Sequence, residues 1–337
     1  MIFDQLNRPI HDLRISVIDR CNFRCRYCMP EEEYSKNYTF LKRTDWLSFA
    51  EIIRLTKIFV SLGVSKVRLT GGEPLLRPNL DQLIRSLNEI PGIDDIALTT
   101  NGLLLAEQAQ KLHAAGLHRL TVSLDTLDEK IFAQMNGGRG EVKHILAAIQ
   151  AAEKAGFDSV KINTVVQKGV NDHTLLGMVD YFRGTPHVIR FIEYMDVGNC
   201  NHWDMTSVVP SAEILQMISR KYPLKELAPH YDGEVAERYT FADGKGEVGF
   251  VSSVTQPFCA SCSRARISTD GKIFTCLFAG TGTDLRTPLR NGASDDELQN
   301  IIVTVWKKRE DRYSEERSSF LTSHKNSHKV EMFQIGG

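Results

Sequence analysis

No apolar run in this 337-residue chain is long enough to span a bilayer. Its first residues, Met1-Ile2-Phe3-Asp4-Gln5, lack the basic stretch, apolar core and small-residue cleavage site of a secretory leader. A cytoplasmic setting without membrane attachment is therefore expected. An excess of either charge sign is missing too: the formal net charge is -1, which gives no electrostatic case for a nucleic acid polymer as partner, while leaving room for a local positive pocket. Internal repeats beyond strand-helix alternation, low-complexity segments and a GxxxxGK[ST] run are all absent, and the last of these excludes a P-loop as the means of holding a nucleotide. What remains is a globular composition, 42% hydrophobic and 25% charged, sized for one large or two ordinary domains.

Cysteine is scarce, seven in all, and its distribution carries information. Cys21, Cys25 and Cys28 form a C-x3-C-x2-C run with no fourth cysteine nearby. A structural zinc site is normally closed by four protein ligands, so three thiolates in one tight run suit an iron-sulfur cluster with one iron left open to a substrate or cosubstrate. A second triplet, Cys259, Cys262 and Cys276, is spaced C-x2-C-x13-C. It fits a second open cluster, or a zinc site completed by the remaining Cys200. Two incomplete ligand sets suit a reducing compartment better than a disulfide framework.

Over the first two thirds, β-branched runs alternate with amphipathic stretches. Strands are expected over 13–18, 66–70, 96–100, 119–124, 159–166 and 188–194, and helices over 45–62, 79–89, 105–115 and 142–155. Such alternation gives parallel strands with helices outside, here six units of a partial (β/α)6 barrel. Thr70-Gly71-Gly72-Glu73-Pro74, Thr99-Thr100-Asn101-Gly102, Ser123-Leu124-Asp125 and Glu193-Tyr194-Met195-Asp196 each close an apolar strand, so all should open onto the face that carries the first triplet. From about residue 210 the rhythm changes: a helix over 211–222, short strands near 238–241 and 247–252, a hairpin across Thr269-Asp270-Gly271-Lys272, a helix over 295–308 and a polar tail. The domains expected are 1–210 and 211–337. His324 and His328 in the tail read as solvated residues rather than metal ligands.

Cations recur at strand spacing. Lys66 and Arg68 share one face of a strand and point into the barrel while Val67 and Leu69 face the helices. Lys161 flanks Asn163 in the same way, Arg14 and Arg190 lie on the first and last of the six strands, and Arg264 and Arg266 repeat the spacing beside Cys262. Cations seldom face a core without a partner, and guanidinium groups match phosphate oxygens with paired donors.

Cys21-x3-Cys25-x2-Cys28 with Tyr27 before the last cysteine resembles the signature of the radical S-adenosylmethionine (SAM) superfamily, and Gly71-Gly72-Glu73-Pro74 resembles its second signature. With the second triplet, Ser263-Arg264-Ala265-Arg266 and the closing Gly336-Gly337, nearly the whole chain resembles the GTP 3',8-cyclase family of molybdenum cofactor biosynthesis. That resemblance implies a radical SAM partial barrel whose mouth is closed by a C-terminal α+β extension, and two 4Fe-4S clusters. It implies SAM held by Tyr27, Gly72, Ser123, Asn163 and Met195, and GTP contacted by Arg14, Arg68, Thr99, Lys161, Arg264 and Arg266, to which the strand spacing adds Lys66 and Arg190. The last eight residues, from Val330, reach roughly 26 Å when extended. The resemblance implies that they insert into the active site, which makes Arg264, Arg266, Gly336 and Gly337 part of the catalytic machinery. It further implies an external electron donor, product transfer to cyclic pyranopterin monophosphate synthase, and a homodimer. A radical SAM enzyme modifying a peptide, and a non-enzymatic iron-sulfur or zinc protein, are the competing readings; the first does not account for the inward cations, and the second would need neither the Gly71-Gly72-Glu73-Pro74 turn nor a barrel.

Overall fold

The computed structural model describes residues 1–231, 233–323 and 328–337. Strand and helix alternate from the start: β1 (Asp12–Ser16), α1 (Phe49–Leu62), β2 (Lys66–Thr70), α2 (Leu80–Asn88), β3 (Asp95–Thr100), α3 (Leu105–Ala114), β4 (Arg119–Ser123), α4 (Glu129–Asn136), α5 (Val142–Lys154), β5 (Val160–Val166), α6 (Leu175–Phe182) and β6 (Val188–Glu193). All six strands are parallel and neighbour one another in chain order. The outward residues meet the helices in one continuous core. In β5, Val160, Ile162, Thr164 and Val166 are buried there, while Lys161 and Asn163 turn to the other face.

Local chemistry sets the helix limits. The α1 helix begins at Phe49, four residues later than the periodicity suggests, because Ser48 and Glu51 form a reciprocal capping box: Glu51 N donates to Ser48 Oγ at 3.2 Å and Ser48 N to Glu51 Oε2 at 2.6 Å. Ahead of the cap, Arg43–Asp45 makes a single 3-10 turn.

The remaining chain comprises α7 (Ser211–Lys221), β7 (Leu224–Leu227), β8 (Glu237–Phe241), β9 (Glu247–Val251), β10 (Arg264–Ile267), β11 (Lys272–Phe274), β12 (Thr283–Asp284), α8 (Arg286–Arg290), α9 (Asp295–Lys307), α10 (Tyr313–Ser323) and α11 (Met332–Ile335). It extends the sheet at both edges. β9 pairs parallel with β6, and β10 pairs parallel with β1, so the barrel gains a strand on each side; β8 and β7 then continue one edge antiparallel, and β11 and β12 the other. The sheet remains open between β12 and β7. The expected hairpin is present, with Ser268 N donating to Lys272 O. The helices α4, α6, α8, α10 and α11 and the strands β7 and β12 were not among the elements expected; in α10 Tyr313 and Arg317 bury polar side chains instead of an apolar stripe, and α11 is a single turn that buries Phe333 and Ile335. No described helix is long and apolar enough to cross a membrane.

The C-terminal strands share the core of the first six: Phe250 of β9 is 1% exposed, with its ring centroid 6.1 Å from Phe191 of β6 and 5.6 Å from Tyr239 of β8. Phe250→Ala should cost about 3–5 kcal/mol, measured as a lowered urea midpoint. One cooperative transition is expected; an early, separate C-terminal transition would contradict a shared core.

Candidate active site

Cys21, Cys25 and Cys28 lie in the loop after β1, at the carboxyl end of the parallel strands. A tight turn shapes that loop, Cys28 N and Met29 N both donating to Cys25 O. The segment Ile18–Cys21 runs directly over the Gly71-Gly72 turn at the end of β2: Gly72 N donates to Ile18 O and Glu73 N to Arg20 O, each at 2.8 Å. A Cβ on Gly71 would collide with Ile18 O, and one on Gly72 with Arg20 O. The glycines therefore admit the backbone of the cysteine loop itself, a more immediate reason than approach of a ligand. Glu73 is locked beneath, accepting from Thr100 Oγ1 at 2.7 Å, Asn101 N at 2.8 Å and Leu75 N at 3.0 Å. Burial raises its carboxyl to about 7 against the pull of those bonds. Tyr27 donates its hydroxyl to Asp125 Oδ2 at 2.9 Å. Burial raises the Cys21 thiol to about 12, and Cys25 and Cys28 move the same way, so these thiols need a metal's charge to ionise.

A cavity of about 350 Å³ extends from this loop down the inner face of the sheet, within the size range of small-molecule sites. Every residue expected at SAM or GTP lines it: Tyr27, Gly72, Ser123, Asn163 and Met195; Arg14, Lys66, Arg68, Thr99, Lys161, Arg190, Arg264 and Arg266; and Gly337. Register aligns the cations, with Arg14 opposite both Arg68 and Arg266. Arg68 donates to Thr99 Oγ1 at 3.0 Å and Thr121 Oγ1 at 3.3 Å, and Arg190 Nε donates to Asn163 Oδ1 at 3.1 Å. These are neutral acceptors. Burial first, then neighbouring cations, depresses four of them: Arg14 well below its ordinary value, Arg190 to about 9, Arg266 to about 10 and Lys161 to about 7, whereas Cys262 holds Arg264 above its ordinary value despite burial. A belt of like charge with too few carboxylates is an anion site.

Cys259 and Cys262 precede β10, and Cys276 follows β11. Because β10 is parallel to β1, this triplet sits at the opposite end of the strands from the first, and it lines the same cavity. Burial alone would raise the Cys262 thiol, but Arg264, whose Nε and Nη2 donate to its sulfur at 3.2 and 3.1 Å, and then Arg309 bring it down to about 6. Cys276 is raised to about 11 by burial and by Asp311. Cys200 contacts Tyr34 Oη at 3.7 Å and Glu331 Oε1 at 3.8 Å, and it packs against the cluster of Met29, Tyr34 and Phe333 on which Cys21 and Cys28 also pack. That places it beside the first triplet, not in position to close a zinc site at the second. Among the described residues no three Cys, His, Asp or Glu side chains gather as they would around one metal ion.

The chain's last residues enter the chamber. Arg266 donates to Gly336 O, and Gly336, at φ 77°, would press a Cβ into Thr70. Asp196, at the end of the β6 motif, binds Lys329 Nζ at 2.7 Å, Arg317 Nε at 2.9 Å and the Tyr313 hydroxyl. His328 is exposed, and His324 lies outside the described residues.

Several lining residues escaped the sequence reading. Arg119 shares the inner face of β4 with Thr121 and Ser123, so the spacing that singled out Lys66 and Arg68 applied to it as well; its Nε donates to Asp95 Oδ1 at 2.7 Å. Asp125 and Glu73 stood within recognised motifs without being given a role. Tyr231, whose ring centre lies 3.1 Å from Lys66 Nζ, and Glu234 come from a loop with no sequence signal.

Residues 15–182 match the family model of the Radical SAM superfamily, and residues 187–315 that of Molybdenum Cofactor Synthesis C. The chain is 54% identical over 334 residues to a protein of Xanthomonas campestris pv. campestris (strain B100) named GTP 3',8-cyclase, covering 99% of this chain and 97% of the relative. A protein of the same name from Staphylococcus haemolyticus (strain JCSC1435) is 48% identical over 337 residues, covering 100% of this chain and 99% of that one. Among solved structures, Streptococcus suis SuiB bound to S-adenosylmethionine shares the fold, with a TM-score of 0.55 at 15% identity over 88% of this chain and 66% of that one. Likeness at this level across the full length establishes that the chain belongs to the GTP 3',8-cyclase family within the radical SAM superfamily.

Proposed function

We propose that the protein converts GTP to 3',8-cyclo-7,8-dihydro-GTP, the first step of molybdopterin biosynthesis, with a 4Fe-4S cluster at each cysteine triplet. The observation that carries this reading is a single cavity with a thiol triplet at either end and under-neutralised cations between them. The donor sets fit the groups assigned. Three thiols on one loop leave a site open, Cys21 Sγ accepts from Phe23 N at 3.4 Å, and Cys262 is already disposed to ionise. With SAM bound at the first cluster, one-electron reduction of its sulfonium would supply a 5'-deoxyadenosyl radical able to take hydrogen from C3' of the ribose, and closure of that carbon onto guanine C8 would need one further electron, from the external donor, and a proton to reach the 7,8-dihydro product.

The protein's own residues position and shield. Tyr27, Gly72, Ser123, Asn163 and Met195 hold SAM beside the first triplet, with Asp125 fixing the Tyr27 hydroxyl. Arg14, Lys66, Arg68, Thr99, Lys161 and Arg190 receive the triphosphate. Arg264 and Arg266 stand between the nucleotide, the second triplet and the tail, and Arg266 keeps Gly336 in the chamber. Orientation of this kind can supply about 7–11 kcal/mol of a barrier. The same reading implies an external electron donor, delivery of product to cyclic pyranopterin monophosphate synthase, a cytoplasmic setting and a homodimer; neither a nucleic acid polymer nor a membrane has a role.

Anaerobic reconstitution followed by incubation with SAM, dithionite and GTP should yield 5'-deoxyadenosine only when GTP is present. GTP-independent formation would favour a peptide-modifying enzyme, and no formation at all a non-enzymatic protein. Deleting Gly336 and Gly337 should abolish turnover at unchanged iron content; full activity would remove the tail from the mechanism. Lys161 gives the reaction a pH signature. Its ammonium is charged below about 7 and must recover a proton above it to meet the triphosphate. GTP affinity relative to Lys161→Arg, which stays charged, should therefore fall as pH rises from 7 to 9, by up to about tenfold per unit. A ratio constant across that range would exclude Lys161 from the phosphate site.

A further inference from the structure

One buried guanidinium in this protein has no part in the roles assigned above. Arg8 precedes β1, is 1% exposed, and joins three segments far apart in sequence. Its Nε donates to Asp4 Oδ2 at 2.6 Å, and its Nη1 donates to the carbonyl oxygens of Cys259 and Asp311, each at 2.8 Å. Its Nη2 is buried and has no hydrogen-bond partner among the described residues. Leaving such a donor unsatisfied is unfavourable, and more so when the group is charged. Arg8 lines the cavity together with Cys259, Cys262 and Cys276.

Arg309 belongs to the same unit. It donates through Nη1 to Cys262 O at 2.6 Å and reaches the fully buried Asp4 carboxylate at 3.4 Å. Two guanidinium groups thus share Asp4, and each holds one carbonyl of the Cys259–Ser261 turn and the cysteine that follows it. Arg264 differs, since its Nε and Nη2 already reach the Cys262 sulfur. The unpartnered Nη2 of Arg8 has no such acceptor.

We propose that Arg8 is a positioning residue that also sets the reduction potential of the cluster at Cys259, Cys262 and Cys276. The unpartnered Nη2 donates to a sulfur of that cluster, thiolate or bridging sulfide, while the bonded arm fixes the Cys259 end of the turn. This inference rests on the second-cluster reading given above. Hydrogen bonds to cluster sulfurs and nearby positive charge stabilise the reduced state, so Arg8 holds the potential up.

The test uses the full chain with Cys21→Ala, Cys25→Ala and Cys28→Ala, which leaves only the second site, reconstituted anaerobically with iron and sulfide. Iron content and an EPR-monitored redox titration are compared for this parent and for the same chain carrying Arg8→Lys or Arg8→Gln. Retained iron with an altered signal and a lower midpoint potential is expected, the shift being larger for Gln; a tenfold change in the one-electron equilibrium corresponds to ~59 mV. Full iron with signal and potential unchanged in both variants would overturn the proposal. Loss of iron from both variants would also overturn it, leaving Arg8 as a scaffold for the turn. A parent that binds no cluster, or binds zinc instead, would refute the second-cluster reading itself and the role of Arg8 with it.

Discussion

Parallel pairing of β10 with β1 is the constraint on which the remaining geometry depends. The pairing carries Arg266 into register with Arg14, and through Arg14 with Arg68 on β2, so residues almost the whole chain apart form one row on the inner face. It also decides polarity. A parallel partner must enter where β1 enters, so the cysteines before β10 sit at the amino ends of strands whose carboxyl ends carry the first triplet. An antiparallel β10 would have put both triplets at one end. Two cysteine-lined centres facing each other across a chamber thus follow from the direction of one backbone ladder.

Between those centres the chamber holds an electrostatic arrangement that would be unfavourable in an ordinary core. Arg14, Arg68, Lys161 and Arg190 point inward, and the acceptors found for them are hydroxyls and an amide oxygen. Burial and mutual repulsion push their charges toward neutrality, most visibly for Lys161 at about 7. The helices outside supply the compensating stability, since the outward residues of the same strands, Leu13, Val67, Leu69 and Ile162, are all essentially inaccessible to water. Each such side chain contributes on the order of 1.5–3 kcal/mol. Apolar burial on one face of the sheet thereby sustains an under-neutralised cation belt on the other, and a polyanion entering the belt relieves it.

Much of this was legible because period-two alternation and strand ends are local properties. Lys66 and Arg68 could be placed on the inner face from spacing alone, as could Lys161 with Asn163, and the strand-end motifs converge on the cavity as expected. Sheet edges are not local. Nothing in residues 247–251 or 264–267 states that they will lie parallel to β6 and β1 rather than form a separate small sheet, because the choice is made by pairing partners far away in sequence. The Gly71-Gly72 turn was recognised as a motif, but the reason for its glycines was not legible, because the close neighbour is the backbone of Ile18–Cys21. Arg8 could not be found by any periodicity, since it lies outside the regular elements and its partners are at positions 4, 259 and 311.

The tail is directed by a network of buried charges that leads into an aromatic anchor, Phe333. Asp196 is buried at the end of the β6 motif. Burial would raise its carboxyl, but Arg317 and Lys329 outweigh that and bring it below the usual range. A network of buried charges adds little net stability compared with a well-packed apolar equivalent, yet removing one partner strands a buried charge at a cost of about 3–5 kcal/mol. Its members therefore stay together. Tyr313 and Arg317 bring α10 to the β6 loop, Lys329 brings the start of the tail to the same carboxylate, and Glu331 accepts from Asn199 N at 3.1 Å two residues further on. From there Phe333 packs against Tyr34, and the backbone runs past Thr70 to Arg266. The loop that closes the sixth strand thus aims the last residues of the chain into the space between the two cysteine triplets.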